Sequence, residues 1–293
     1  MAKGKLFVVG TPIGNMDDIT LRALRVLSSV EIIAAEDTRA AQHLLGHHQV
    51  RAGQQAPKIL SFFAGNEAQR TSEVLALLGA GQSVALISEA GMPGISDPGQ
   101  RLVAAAHEQH LAVEVIPGPS AVLHALVASG LPSDRFLFVG FPPRQEGERL
   151  RLFGSLRHEP GTLIFYESPE RVAQTVADLA QALGDDRRAV VARELTKLFE
   201  EHRHGTLGEL TQSLPQNPPR GEITLVVSGS GNTDVPMTAE SLDVEQEVRR
   251  RLGQGESAKD IATALTLLTG QPRRKLYQLA LHLKDHQAAT PQP

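Results

Sequence analysis

Ser83-Val-Ala-Leu-Ile-Ser-Glu-Ala-Gly-Met-Pro-Gly-Ile-Ser-Asp-Pro-Gly99 decides the reading of this chain. Its apolar run, Val84 to Ile87, is four residues long and flanked by Gly81 and Gly91, the pattern of a buried strand. Glycines and prolines then crowd the loop and force tight, fixed turns. Asp97-Pro98 predicts a helix start, with Asp97 as cap and Pro98 at the first helical position. Ligands of open α/β sheets bind outside the carboxyl ends of strands. A rigid loop carrying Glu89 at that point is a candidate small-molecule site; the plainer alternative is a long structural turn.

Outward from this stretch, strands and helices alternate. Leu6–Val9, Val30–Ala35, Lys58–Phe63 and Ala112–Ile116 read as strands, with helices after Asp18, from Glu67 to Leu78, from Pro98 to His110 and up to Ser129. This order predicts a mostly parallel α/β domain over residues 1–130. Beyond Gly130 the pattern restarts at Phe136–Val139, Thr162–Tyr166, Ala189–Ala192 and Glu222–Val227. Short late connections predict a second, more antiparallel α/β domain over 131–230. Residues 231–239 read as a linker and 285–293 as a disordered tail.

Between them, 240–284 reads as three helices. Ser257 with Asp260 starts the second in a capping-box pattern, and Pro272 opens the third. The outline is that of a helix-turn-helix. From Glu245 to Lys284, eight Lys and Arg face four acids, a local +4 in a chain of net charge -4. Arg273-Arg-Lys275 stands at a helix start, where backbone N–H groups also favour phosphate. Arg144, Arg149, Arg151 and Arg157 are a second possible contact surface. A solvated basic face is the alternative in both places.

Composition removes several classes. The 293 residues contain no cysteine, which excludes disulfides and thiolate chemistry. No apolar run approaches the length needed to cross a bilayer, no signal peptide is recognisable, and the cytoplasm is the expected compartment. Tryptophan is absent and aromatics are 4%, so stacking platforms for single-stranded RNA are not expected to dominate. The chain has neither G-x-G-x-x-G after its first strand nor a G-K-[ST] phosphate loop. His43, His47 and His48 cluster at a helix end, and His202-Arg-His204 reads as a polar turn. Neither group shows carboxylate or cysteine companions at ligand spacing, so solvent exposure is expected and no metal site is assigned.

Six stretches occur in one order: Val9-Gly-Thr-Pro-Ile-Gly-Asn15, Glu36-Asp-Thr-Arg39, Ser88 to Gly99, Pro117-Gly-Pro-Ser-Ala121, Phe165-Tyr-Glu-Ser-Pro169 and Arg193-Glu-Leu-Thr-Lys197. Through them nearly the whole chain resembles the tetrapyrrole-methylase superfamily. Within it the chain is most similar to the ribosomal RNA small subunit methyltransferase I group. The resemblance implies a two-domain α/β fold with S-adenosylmethionine in the cleft, commonly as a homodimer. It further implies 2′-O-methylation of a cytidine in 16S ribosomal RNA, at the decoding centre of the small subunit. Motif by motif, it carries cofactor contacts onto Pro12, Glu89, Met92, Ser120, Ala121, Glu167 and Leu195. Glu89 departs from the family's usual Asp and reaches one methylene further. In Phe62-Phe-Ala-Gly-Asn-Glu67 only Asn66-Glu67 matches. Two rival readings are a superfamily enzyme acting on a tetrapyrrole-like small molecule, and a regulator that binds nucleic acid and senses a metabolite.

A ribose hydroxyl is a weak acid, so its methylation calls for a base or strong hydrogen-bond acceptor. Glu36, Asp37, Glu167 and Glu194 all stand at predicted strand ends, and Arg39, Arg193 and Lys197 are candidate phosphate partners. Local ion pairing is the alternative for each. Asp37 is the preferred base because a short side chain is easily held in one geometry. Arg39 would then pair a phosphate, with Glu36 in support.

Overall fold

A computed structural model describes residues 3–51, 56–230, 244–253, 256–269 and 272–288. Met1–Thr233 forms one compact unit and Asp234–Pro293 another. The first unit holds two five-stranded sheets.

In the first sheet, β1 (Lys5–Val9), β2 (Ile32–Ala35), β3 (Lys58–Ser61), β4 (Val84–Ile87) and β5 (Ala112–Ile116) run in the order β3-β2-β4-β1-β5. Every pairing is parallel. Buried on both faces, β2 and β4 carry only Ile, Ala, Val and Leu, as central parallel strands must. The helices are α1 (Leu21–Leu27), α2 (Thr38–His47), α3 (Glu67–Gly79), α4 (Gln100–Glu108) and α5 (Ala121–Ser129). The first four cover the sheet and divide its apolar core in two, one part around Leu6, Phe62 and Leu102 and the other around Ile33, Leu27 and Ile116; Val122, Ala125 and Leu126 of α5 pack instead with Ile164 and Val226. Gly130, left-handed at φ 65°, ends α5.

In the second sheet, β6 (Phe136–Gly140), β7 (Thr162–Glu167), β8 (Arg188–Arg193), β9 (Glu201–Thr206) and β10 (Ile223–Val227) take the order β6-β7-β10-β8-β9. Only β6 and β7 are parallel; β10 runs antiparallel to β7 and β8, and β9 antiparallel to β8. The helices here are α6 (Glu146–Ser155), α7 (Val172–Leu183) and α8 (Leu207–Ser213). Arg149 of α6 is buried with Asp178 of α7 and also donates to the carbonyls of Pro143 and Arg144. That arginine therefore braces the loop after β6 and is not part of a basic surface.

Three local expectations are corrected. Thr20 caps α1 through the Ala23 N–H, while Asp18 sits in a preceding turn of 3₁₀ helix. Asp97 caps nothing: α4 begins at Gln100 after Gly99, whose φ of 136° only glycine adopts readily. His202-Arg-His204 lies in β9, an edge strand that α8 follows under a Thr206/Glu209 capping box.

The second unit holds α9 (Val244–Gly253), α10 (Ala258–Thr269) and α11 (Arg273–Ala288) around Val248, Ile261, Leu265, Leu276 and Leu283. Of the expected capping box only one half forms: the Ser257 hydroxyl accepts the Asp260 N–H at 3.2 Å, and it donates to the Asp260 carboxylate at 2.6 Å in place of a backbone N–H. The expected linker, 231–239, and residues 289–293 lie outside the described residues. Helix α11 itself extends to Ala288, into the stretch expected to be tail.

Candidate active site

Four strand-end turns converge at the carboxyl edge of the first sheet. The turn after β1 meets the turn after β4 through Thr11 and Gly91, which exchange backbone hydrogen bonds of 2.9 and 3.2 Å. It meets the turn after β5 so closely that a Cβ on Gly10 would lie 2.7 Å from Gly118 Cα. The turn after β2 joins through Glu36, whose backbone N–H donates to Ile87 O at 3.2 Å. The second sheet is tied in by Thr196, whose hydroxyl accepts the Asn15 N–H at 3.0 Å.

These junctions enclose a cavity of about 440 Å³. From the first sheet's loops come Glu36, Glu89, Met92, Asp97, Ser120 and Ala121; from the second sheet come Phe141, Tyr166, Glu167 and Leu195. The size and mixed lining suit a small organic ligand. Six of the seven residues expected to touch a cofactor line it: Glu89, Met92, Ser120, Ala121, Glu167 and Leu195. The seventh, Pro12, lines a smaller adjoining pocket with Ser88, Glu89 and Lys197.

Three carboxylates crowd one wall. Glu36 accepts the Glu89 N–H at 3.3 Å. Burial chiefly pushes the Glu36 carboxyl up, with the Glu89 and Asp37 charges adding to it against that hydrogen bond. Asp97 moves further, to about 6, first through burial and then through the Glu36 charge; the Ser88 hydroxyl opposes this and Glu89 adds to it. Burial and the Asp97 charge push Tyr166 to about 12, so its phenol stays protonated beside them.

The expected base, Asp37, has another task. Its carboxylate caps α2, accepting the Arg39 and Ala40 N–H groups at 2.7 and 2.9 Å, and these hold it below the usual carboxylate range. A carboxylate so stabilised is a weak base, and it does not line the cavity. Arg39 stands exposed on the first turn of α2. Glu167 is buried and satisfied by the Thr175 hydroxyl at 2.6 Å, the Ser168 N–H at 2.8 Å and Arg171 at 3.3 Å. Lys197 bridges Glu194 and Glu222, each at 3.0 Å, and Arg193 pairs with Glu201 at 2.8 Å. Local ion pairing therefore accounts for Glu194, Arg193 and Lys197. Asp97 is the residue that the sequence reading missed. Its only signal was a second carboxylate in the glycine-rich loop, read as a helix cap.

Two sheets, one parallel and one largely antiparallel, with an acidic cavity at the carboxyl edge of the parallel one, define an α/β protein whose cavity between them suits a small ligand. Residues 5–211 match the family model of Tetrapyrrole (Corrin/Porphyrin) Methylases, and the chain belongs to that family. It is 44% identical to "Ribosomal RNA small subunit methyltransferase I" of Synechocystis sp., over 96% of this chain and 99% of that protein. The protein of that name from Thermotoga maritima is also 44% identical, over 77% of this chain and 99% of its own length. Among solved structures, the methyltransferase CobJ is similar with a TM-score of 0.59 and 18% identity, over 78% of this chain and 95% of its own. Uroporphyrin-III C-methyltransferase from Thermus thermophilus, complexed with S-adenosylhomocysteine, gives a TM-score of 0.52 at 20% identity, over 77% and 97%. The likenesses to these two structures concern the fold.

An Asp97 carboxyl raised from 3.8 to about 6 disfavours its ionised form in the folded protein. The folded state therefore loses stability as pH rises from about 4 through about 6. Asp97→Asn removes that loss. In urea unfolding at pH 8 it should exceed the parent by about 1 kcal/mol, less than the full linkage value because Asp97 is only half-buried. The two should converge below pH 4. An Asn variant no more stable at pH 8 would show that Asp97 is not crowded.

Proposed function

We propose that this protein is an S-adenosylmethionine-dependent ribosomal RNA methyltransferase that modifies the 2′-hydroxyl of a cytidine in 16S ribosomal RNA, at the decoding centre of the small subunit. The observation that carries the reading is the wall of Glu36, Glu89 and Asp97 in a largely apolar cavity between the sheets. The names of relatives 39–44% identical support the ribosomal RNA substrate. The cavity fits the cofactor: carboxylates complement its cationic sulfonium, and apolar walls with strand-end backbone groups suit its adenine, ribose and amino-acid ends.

When bound, the cofactor supplies an electrophilic methyl group on sulfur. Glu89, on the β4 loop, faces the cavity and holds its positive charge. Met92, Ser120, Ala121 and Leu195 shape the walls, while Glu167, locked by Thr175 and Arg171, braces the end of β7. Pro12 stiffens the adjoining turn. Asp97 accepts the proton of the incoming hydroxyl. At pH 7.5 a group titrating near 6 is ionised, yet it is a far better acceptor than an ordinary aspartate. Asp37 fixes the start of α2, and Arg39 there meets an RNA phosphate. Glu36 raises the basicity of Asp97 through its nearby charge.

The second unit adds RNA affinity. Arg249 and Arg251 are engaged by Glu245 and Glu247, each at 2.7 Å. Arg273, Arg274 and Lys275 stand exposed at the start of α11 and are the phosphate contacts. No helix among the described residues is long and apolar enough to cross a membrane. We place the protein in the cytoplasm as a homodimer; the exposed Val127 and Leu198 support pairing with a second copy.

Mapping ribose methylation in cells lacking the protein tests the reaction. One cytidine 2′-O-methyl group should vanish from 16S ribosomal RNA, return with the parent and fail to return with Asp97→Asn. An unchanged map would refute the assignment. Removing residues 232–293 should leave cofactor affinity intact and weaken RNA binding. The slope of log affinity against log salt should become shallower by about 2, as expected for three phosphates. An unaltered slope would show that the second unit does not touch RNA.

A further inference from the structure

One cluster lies outside the cavity and plays no part in the reaction proposed above. His124 projects from α5, Glu200 ends the segment after β8, and His202 stands in β9. The two histidines face the same carboxylate oxygen: Glu200 Oε1 lies 3.2 Å from His124 Nε2 and 2.8 Å from His202 Nε2. One nitrogen from each ring and a carboxylate oxygen all fall within 4.8 Å of one another. The rings stack at 7° with centroids 6.4 Å apart. His202 Nδ1 is sealed from solvent without a hydrogen-bond partner, so Nε2 is the nitrogen this ring presents outward. This corrects the expectation that His202 is a solvent-exposed residue lacking a carboxylate companion.

We propose that His124, Glu200 and His202 bind a divalent transition-metal ion of the zinc class. Two imidazoles and one carboxylate are a three-ligand zinc set that leaves a fourth position for water. Hard cations such as magnesium and calcium prefer all-oxygen shells, and two ring nitrogens disfavour them. The ligands come from two places in the chain, so the ion joins them. It clasps the segment between β8 and β9 to α5.

That segment has reason to be clasped. Glu194 and Thr196 hold left-handed backbone at φ 51° and 65°, which costs free energy in residues other than glycine. Glu200 already restrains it, since its second oxygen accepts the Thr196 N–H at 2.6 Å. Leu195 lines the main cavity from this segment, and Ser120 and Ala121 line it from the start of α5. A metal at Glu200 thus stiffens two walls of the cavity from outside.

The test uses untagged full-length protein, freed of metal by chelator and titrated with cobalt(II), whose visible absorption reports four- or five-coordinate binding. One ion per chain should bind, and zinc should displace it. His124→Ala, His202→Ala and the isosteric Glu200→Gln should each lower affinity beyond the roughly 10–100-fold that outer-shell partners are worth. His43→Ala/His47→Ala should bind as the parent does, which separates this site from the histidines of α2. Zinc should raise the thermal midpoint of the parent and of that control, and leave the three ligand variants unmoved. If the parent shows no stoichiometric binding, the cluster is a hydrogen-bonded triad without metal. Binding that survives in the ligand variants would equally overturn the proposal.

Discussion

The structure depends on how closely its strand-end turns approach one another. Gly10 and Gly118 pass at a distance that leaves no room for a side chain: a Cβ on Gly10 would also fall 2.6 Å from the Met92 sulfur. The backbone exchange between Thr11 and Gly91 adds the turn after β4 to the same knot. Parallel strands place all these turns at one edge of the sheet. The approach of the turns brings Glu36, at the end of β2, onto one wall with Glu89 and Asp97 of the loop after β4. Placing those groups together is costly, because like charges and burial both oppose ionisation. Proteins retain arrangements of this kind where function needs them.

The second sheet supplies the other wall and steadies it with polar groups that are already paired. Glu167 is a case in point: a carboxylate at a strand end, facing a cavity, invites a chemical role. Its carboxylate is already engaged by Thr175, Ser168 and Arg171. Asp97, by contrast, has the Ser88 hydroxyl against two repelling acids. Within one cavity one carboxylate is fully paired and another is crowded, and the roles proposed above rest on that contrast.

Much of this was legible in the sequence. Apolar runs bounded by glycine and proline located nine of the ten strands, because buried parallel strands need such residues. The tenth, Glu-His-Arg-His-Gly-Thr, escaped because an edge strand need bury nothing, and its ladder with β8 is a backbone matter. Six of the seven cofactor positions implied by resemblance share one cavity, as strand-end motifs should. Asp37, expected as the base, caps α2, and Asp97, expected as a cap, lines the cavity. Each stands ahead of a helix, and only backbone geometry separates them: Gly94, Ser96 and Gly99 all take positive φ and turn Asp97 inward. The pairing of His124 with His202 was beyond reach, since spacing along a chain does not show what an α5 side chain meets in another sheet.

The central proposal is that burial, together with the charges of Glu36 and Glu89, sets the basicity of Asp97 and thereby the rate of methyl transfer. Its most direct test is the pH dependence of single-turnover methylation at saturating S-adenosylmethionine and RNA, in the parent and in Glu36→Gln. The parent rate should rise tenfold per pH unit below an apparent pKa near 6 and level off above it. Glu36→Gln should shift that break to lower pH, since one repelling charge is gone. A rate that does not vary between pH 5 and 8, or a break that stays in place in Glu36→Gln, would contradict the account.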